Sequence, residues 1–331
     1  MTYRVTHTTA YVYESEVSAS YGEAHLLPRD LPGQTVLDAE LTIVPTPGQI
    51  TQRLDYFGNR THHFVLREGH STLEVTATSL VAVNRPDVPA VREDQQRWES
   101  VREQLRTAGA ADGPPDPQVL AATEFTYDSP QVSRSAAAAA YAVPSFGADV
   151  PVLQAVADLS RRIHRDFEFK LGATGVGTPV DQVIACRVGV CQDFAHLTIA
   201  ALRSMGLAAR YVSGYLETQA PPGQPKLQGS DVSHAWASVF VPHVGWVDVD
   251  PTNNQFVSNR YVVTAWGRDY GDVAPLKGVI FTDGETESLR VSVDVRRVSE
   301  AEMPGLAHQD HPVQQSQQQQ QQTADILFEE L

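Results

Sequence analysis

The sequence predicts an α+β protein: an antiparallel β-sandwich at the N-terminus, followed by a core of helices and antiparallel strands. Three observations carry that prediction. Residues 1–85 hold short alternating runs broken by Pro and Gly, residues 151–205 hold apolar residues at helical spacing, and residues 210–250 return to alternation.

In the first part, Tyr3-Val5-His7 and Ala10-Val12 alternate, as do Leu37-Ala39-Leu41-Ile43 and Leu73-Val75-Ala77. Pro28, Gly33, Pro45, Pro47 and Gly58-Asn59 separate them, the pattern of a sandwich or small barrel. From 86 to 150 four prolines (86, 89, 115 and 117) bracket a charged helical stretch over 91–108, and an alanine run at 136–140 favours another helix. This region reads as a helical linker. The core is predicted over 151–297. Leu153, Val156, Leu159 and Ile163 line one helix face; Phe194, Leu197, Ala201, Leu202 and Met205 line a second, with Gly206 as its terminator. Strands are predicted at 210–216, 234–241 and 246–250, with 279–280 and 289–295 closing the core. Residues 298–331, with glutamine runs at 314–315 and 317–322, read as a mobile tail.

Composition narrows the function classes. The chain has 331 residues, 42% hydrophobic and 20% charged, with a formal net charge of −15. Without a basic cluster it is not expected to bind nucleic acid. It has neither a run of about 18 apolar residues, as a membrane helix needs, nor a basic-then-apolar leader at residues 1–11, so a cytoplasmic location is expected. Its two cysteines, Cys186 and Cys191, have the wrong spacing for a zinc knuckle and are too few for a disulfide framework. The histidines, the His62–His63 pair included, show no metal-ligand spacing, and no cofactor is expected.

Chemistry concentrates in three segments. Cys191 opens the 191–205 helix, where free backbone N–H groups and the positive dipole end favour a thiolate. Gly189 before it permits a tight turn and close backbone approach, and Asp193 suits the helix start. Taken alone, such a cysteine reads more readily as a small buried residue. His234 begins a strand that puts His234, Trp236, Ser238 and Phe240 on one side. The following strand puts Trp246, Asp248 and Asp250 on one side. If the turn is Pro242–Val244, three residues, His234 lies opposite Thr252 and diagonal to Asp250 on the same face. A turn using all of 242–245 would separate them. Parity leaves Asp248 a competitor for Asp250. His196, five residues beyond Cys191, points away from it and suits packing. A cysteine, a histidine and an aspartate supply the nucleophile, base and orienting carboxylate of thiol acyl transfer.

These residues resemble the transglutaminase-like superfamily, and within it the bacterial members that carry a β-rich N-terminal domain. The resemblance rests on Gly189-Val190-Cys191-Gln192-Asp193-Phe194-Ala195-His196, on Gly206-Leu207-Ala208-Ala209-Arg210-Tyr211-Val212-Ser213-Gly214-Tyr215, on His234-Ala235-Trp236 and on Gly245-Trp246-Val247-Asp248-Val249-Asp250-Pro251-Thr252. Leu26-Leu27-Pro28-Arg29, Asp55-Tyr56-Phe57-Gly58-Asn59 and the stretch from Gly267 to Pro275 extend it over about 1–295. It implies a papain-like core with the cysteine on a helix and the histidine and aspartate on adjacent strands. It also implies Asp250 rather than Asp248 as the third member, and acyl-enzyme chemistry without an obligatory cofactor. The calcium sites of animal transglutaminases have no counterpart here. The substrate implied is a peptide or protein amide, with an amine as possible co-substrate. Hydrolysis is preferred, cross-linking acyl transfer is the alternative, and an inert binding module of the same fold is a third reading. Trp236, Asp269 and Tyr270 are candidate substrate contacts.

Overall fold

The structure, a computed structural model, describes residues 1–85, 96–109, 116–218, 233–284, 286–299 and 302. The first six strands are β1 (Thr2–Val17), β2 (Ala19–Ala24), β3 (Gln34–Val44), β4 (Gln49–Leu54), β5 (Arg60–Leu66) and β6 (His70–Val83). The alternation seen in the sequence is that of strands buried on one face: along β1, Tyr3, Val5 and His7 point inward. The middle of the chain adds α1 (Trp98–Thr107), α2 (Pro117–Thr123), α3 (Ala136–Ala142), α4 (Val152–Asp166), β7 (Glu168–Phe169), α5 (Val180–Cys186), β8 (Val188–Gly189) and α6 (Cys191–Ser204). Then come β9 (Ala209–Leu216), β10 (Ser233–Val241), β11 (Gly245–Asp250), β12 (Gln255–Phe256), β13 (Tyr261–Gly267), α7 (Tyr270–Val273), β14 (Leu276–Phe281) and β15 (Thr286–Val298).

Two four-stranded sheets, ordered β15-β1-β6-β3 and β14-β2-β5-β4, form the sandwich. Its filling includes Tyr13, Val17, Leu26, Phe64, Leu66, Leu73 and Val75. The last two strands correct the predicted boundary of the core. They do not close it; β14 pairs with β2 and β15 with β1, so the chain returns to the sandwich it began with. Alternation shows that a strand has one buried face and is silent about the edge on which it pairs.

The stretch over 86–150 is also corrected. It is helical, but α1 to α3 are no linker: Trp98, Val101, Leu105, Val119, Ala138 and Tyr141 join the apolar cluster that holds α4 and α6. The helix predicted over 91–108 starts at Trp98, and 91–95 lie outside the described residues, as do the 220–229 loop and the glutamine runs. Among the described residues no helix is long and apolar enough to cross a membrane.

The core sheet is ordered β12-β11-β10-β9-β13. Helix α6 is buried on every side from Asp193 to Arg203, packed chiefly against β10. A helix enclosed this way shows little amphipathic contrast, and its position is fixed by contacts all round. Arg203, 1% exposed, gives its guanidinium to the carbonyls of Phe125, Ala209 and Arg268 at 2.7–3.2 Å.

The sandwich and the core lie within one compact unit, Met1–Arg297. At the outer edge of β13 two buried amides replace a neighbouring strand. Gln34 donates to the Val263 carbonyl and accepts from the Val263 N–H, both at 2.8 Å. Asn59 does the same for Trp266, at 2.8 and 2.9 Å. An edge strand otherwise left with bare N–H and C=O groups is sealed by side chains from the sandwich.

Candidate active site

Gly189 sits at the end of β8 because a Cβ there would come within 2.9 Å of the Asp193 Cβ and 3.1 Å of the Phe194 ring. That clearance lets Asp193 fold back at the start of α6, where it accepts from the Val190 N–H at 2.8 Å and the Thr174 hydroxyl at 2.6 Å. The carboxylate forms one arm of a capping box and satisfies a donor at the helix entrance. Cys191 is the first residue of that helix and is partly exposed.

The turn between β10 and β11 decides the register. Val241 pairs with Gly245 and Ala237 with Val249, so the turn is Pro242-His243-Val244, with His243 and Gly245 at φ of 67° and 95°. The odd loop puts His234 and Asp250 on one face, and His234 Nε2 lies 2.7 Å from Asp250 Oδ2. Asn253 Nδ2 also approaches that nitrogen, at 3.4 Å, and Cys191 at the helix entrance acts on the imidazole together with Asp250. With Nε2–H assigned to the carboxylate, Nδ1 is left for the thiol.

Asp250 is fully buried and surrounded by donors. Its Oδ1 accepts from the N–H groups of Thr252 and Asn253 at 2.9 and 3.2 Å. Its Oδ2 accepts from Asn253 Nδ2 at 2.6 Å and the Tyr261 hydroxyl at 2.7 Å, besides His234. Burial works to raise this carboxyl, but His234, Asn253 and Tyr261 together hold it below the usual range. Burial likewise works to lower His234; the hydrogen bonds and charges of Asp250 and Cys191 outweigh it and push the imidazole up to about 10. The result is an imidazolium held between two groups that are anions when ionised.

Asp248, the rival by parity, is engaged elsewhere: its Oδ2 accepts from Trp236 Nε1 at 3.2 Å and meets Arg85 at 3.5 Å. Two of the candidate substrate contacts are corrected by burial. Trp236 is fully enclosed, its ring 5.3 Å from that of Tyr261, so it packs behind the imidazole. Asp269, 1% exposed, accepts from the Gly271 and Gln131 N–H groups at 2.9 and 2.8 Å, and so caps a turn. Tyr270 is half-buried, its ring edge-on to Tyr211. His196 packs as expected: it is buried, accepts from the Tyr270 N–H at 3.1 Å, and burial lowers it to about 4.

Tyr261 and Tyr211 carry the site without having been singled out in the sequence. Tyr211 is buried against His196 and Tyr270; burial, with Cys191 next in weight, holds its phenol well above the ordinary value, so it keeps its proton. Tyr261 stands 11 residues past Asp250 in an ordinary strand pattern. Only the sheet order brings it near.

Comparison with known proteins agrees with this geometry. A model of the bacterial transglutaminase-like N-terminal region matches residues 3–82, and a model of the transglutaminase-like superfamily matches residues 140–251. An uncharacterised protein of Mycobacterium tuberculosis is 43% identical over 303 residues, covering 88% of this chain and 92% of its own length. A protein-glutamine gamma-glutamyltransferase of Pseudomonas aeruginosa is 35% identical over 97 residues, 28% of this chain and 14% of that one. The crystal structure of a candidate cysteine protease from Cytophaga hutchinsonii superimposes with a TM-score of 0.64 at 21% identity, covering 90% of this chain and 92% of its own. The fold and site thus define a transglutaminase-like α+β protein. The chain belongs to the transglutaminase-like superfamily, with the bacterial N-terminal region ahead of its core.

Proposed function

We propose that the chain is a cysteine peptidase or amidase that forms an acyl-enzyme on Cys191 and resolves it with water. The observation that carries this reading is the His234 imidazole bonded to the buried Asp250 at 2.7 Å, with Cys191 among the groups that raise it. In the ion pair the thiolate attacks the amide carbonyl, and imidazolium gives its proton to the departing amine. The neutral imidazole then takes a proton from water as it attacks the thioester, and returns it to the sulfur. Asp250 fixes the ring and stabilises its charge; five donors keep that carboxylate from turning away. The oxyanion is received by the Cys191 N–H at the helix entrance and by the Tyr211 hydroxyl.

Acyl transfer to an amine is the second reading, supported by the similarity to the Pseudomonas aeruginosa transferase. Both share the acyl-enzyme, so one experiment addresses them. Intact-mass measurement with a panel of acyl-amide peptides is expected to show a single adduct, absent in Cys191→Ala and retained in Cys186→Ala. Ammonia or amine release exceeding labelled-amine incorporation supports hydrolysis, and the reverse supports transfer. No adduct, with Cys191 alkylated no faster than Cys186, sinks both and leaves a binding module.

A further inference from the structure

Away from the thiol, one row of the core sheet carries buried polar groups without partners. The register sets Arg210 of β9 beside Ser238 of β10, and Ser238 beside Asp248 of β11. All three stand on the face that bears His234, with Ser238 about 13 Å along the strand from it. Arg210 is 8% exposed, and its guanidinium is clasped between the rings of Trp246 at 4.2 Å and Trp266 at 3.8 Å. Arg29 also lies over Trp266, at 3.3 Å.

Among the described residues, Arg210 Nε and the fully buried Ser238 Oγ have no hydrogen-bond partner, nor do Arg29 Nε and Arg85 Nε. The carboxylate in the row does not supply one for Arg210, because Asp248 Oδ2 takes Trp236 and Arg85 instead. Burial pulls Arg210 down to about 9, opposed only in part by Asp248 and reinforced by Arg29. A guanidinium stays charged in a protein, and a buried one without an acceptor is costly. The two indoles cover its faces, which leaves its edge, with Nε unpartnered, as the direction from which an acceptor would come. That edge matches the paired oxygens of a carboxylate lying in its plane. Ser238, set between Arg210 and Asp248, offers its unpartnered hydroxyl on the same row.

We propose that Arg210 and Ser238, walled by Trp246 and Trp266, form a binding site for a carboxylate group at the seam of core and sandwich, separate from the thiol. The carboxylate belongs either to a small free acid or to a peptide C-terminus. The site does not depend on acyl-enzyme chemistry and is read without turnover.

The test is thermal unfolding of the full chain at constant ionic strength against sodium acetate, and against tri-alanine with a free or an amidated C-terminus. A saturable rise in Tm is expected, absent in Arg210→Met and with its midpoint several-fold higher in Ser238→Ala. If Arg210→Met does not fold, Arg210→Lys takes its place, since it keeps the charge and loses the bidentate edge. A response to acetate alone supports the site for small acids, and a response to free but not amidated tri-alanine supports it for peptide termini. The proposal is overturned by no response to any of the three, or by the same response in wild type and all variants; a bound water would then satisfy the row.

Discussion

The Tyr261 hydroxyl and His234 Nε2 meet the same oxygen of Asp250, each at 2.7 Å. The carboxylate that orients the imidazole is therefore itself oriented from a strand that β9 separates from β10.

Tyr261→Phe keeps the ring against Trp236 and removes one donor from Asp250. Loss of a buried hydrogen bond to a charged group is expected to lower kcat by about tenfold, with KM little changed. It should also raise the acid limb of the pH–rate profile, because Asp250 loses part of what holds it low. An unchanged pH profile would reduce Tyr261 to a packing residue.

The His234 shift fixes the sign of a pH effect. Its folded value, about 10, lies above the ordinary 6.5, so its contribution to stability is full below about pH 6.5 and fades as pH rises through 10. Asp250, held low, contributes above the ordinary carboxylate range and loses that contribution as pH falls through its folded value. The difference in unfolding free energy between wild type and His234→Ala should therefore narrow from pH 7 to pH 10. Denaturant titrations across that range check it, and a widening gap would contradict the ion pair. The same deprotonation should draw the alkaline limb of kcat/KM.

Tyr211→Phe leaves the apolar contacts of the ring and removes the proposed second oxyanion donor. Loss of one oxyanion donor costs about 10²-fold or more in kcat, while iodoacetamide should alkylate Cys191 at the wild-type rate. An undiminished kcat would move the second donor elsewhere.

Gln34→Leu strips two hydrogen bonds from the buried edge of β13, leaving the Val263 N–H unpaired and its C=O with only the Arg29 N–H at 3.4 Å. The expected loss is about 2 to 4 kcal/mol of unfolding free energy, with a single cooperative transition retained. A mild loss, or sandwich and core melting separately by circular dichroism and tryptophan fluorescence, would show that the amide seam does not unite them.

Much of the site could be read from residue order and parity. The helix opening at Cys191, the shared face of His234 and Asp250 and the packing role of His196 follow from periods of 3.6 and 2, and those periods are local. Even the register hung on one countable feature, the length of the turn at Pro242-His243-Val244. Trp236 and Asp269 were misread because neither residue type nor position in the chain tells what lies over a side chain. Only packing showed Trp236 enclosed and Asp269 spent on a cap.

By itself the sequence determined the α+β class, the strands of the sandwich and the helix that Cys191 opens, and it named His234 with either Asp248 or Asp250 as candidate companions. Tertiary structure decided that the last two strands return to the sandwich, that α1 to α3 belong to the core, that Gln34 and Asn59 seal β13, that Asp250 rather than Asp248 meets His234, and that Tyr261 bonds Asp250. The division has one physical cause. Periodicity is imposed by neighbours along the chain, whereas an edge, a seam or a hydrogen bond between residues far apart is fixed only when the apolar faces have been buried together.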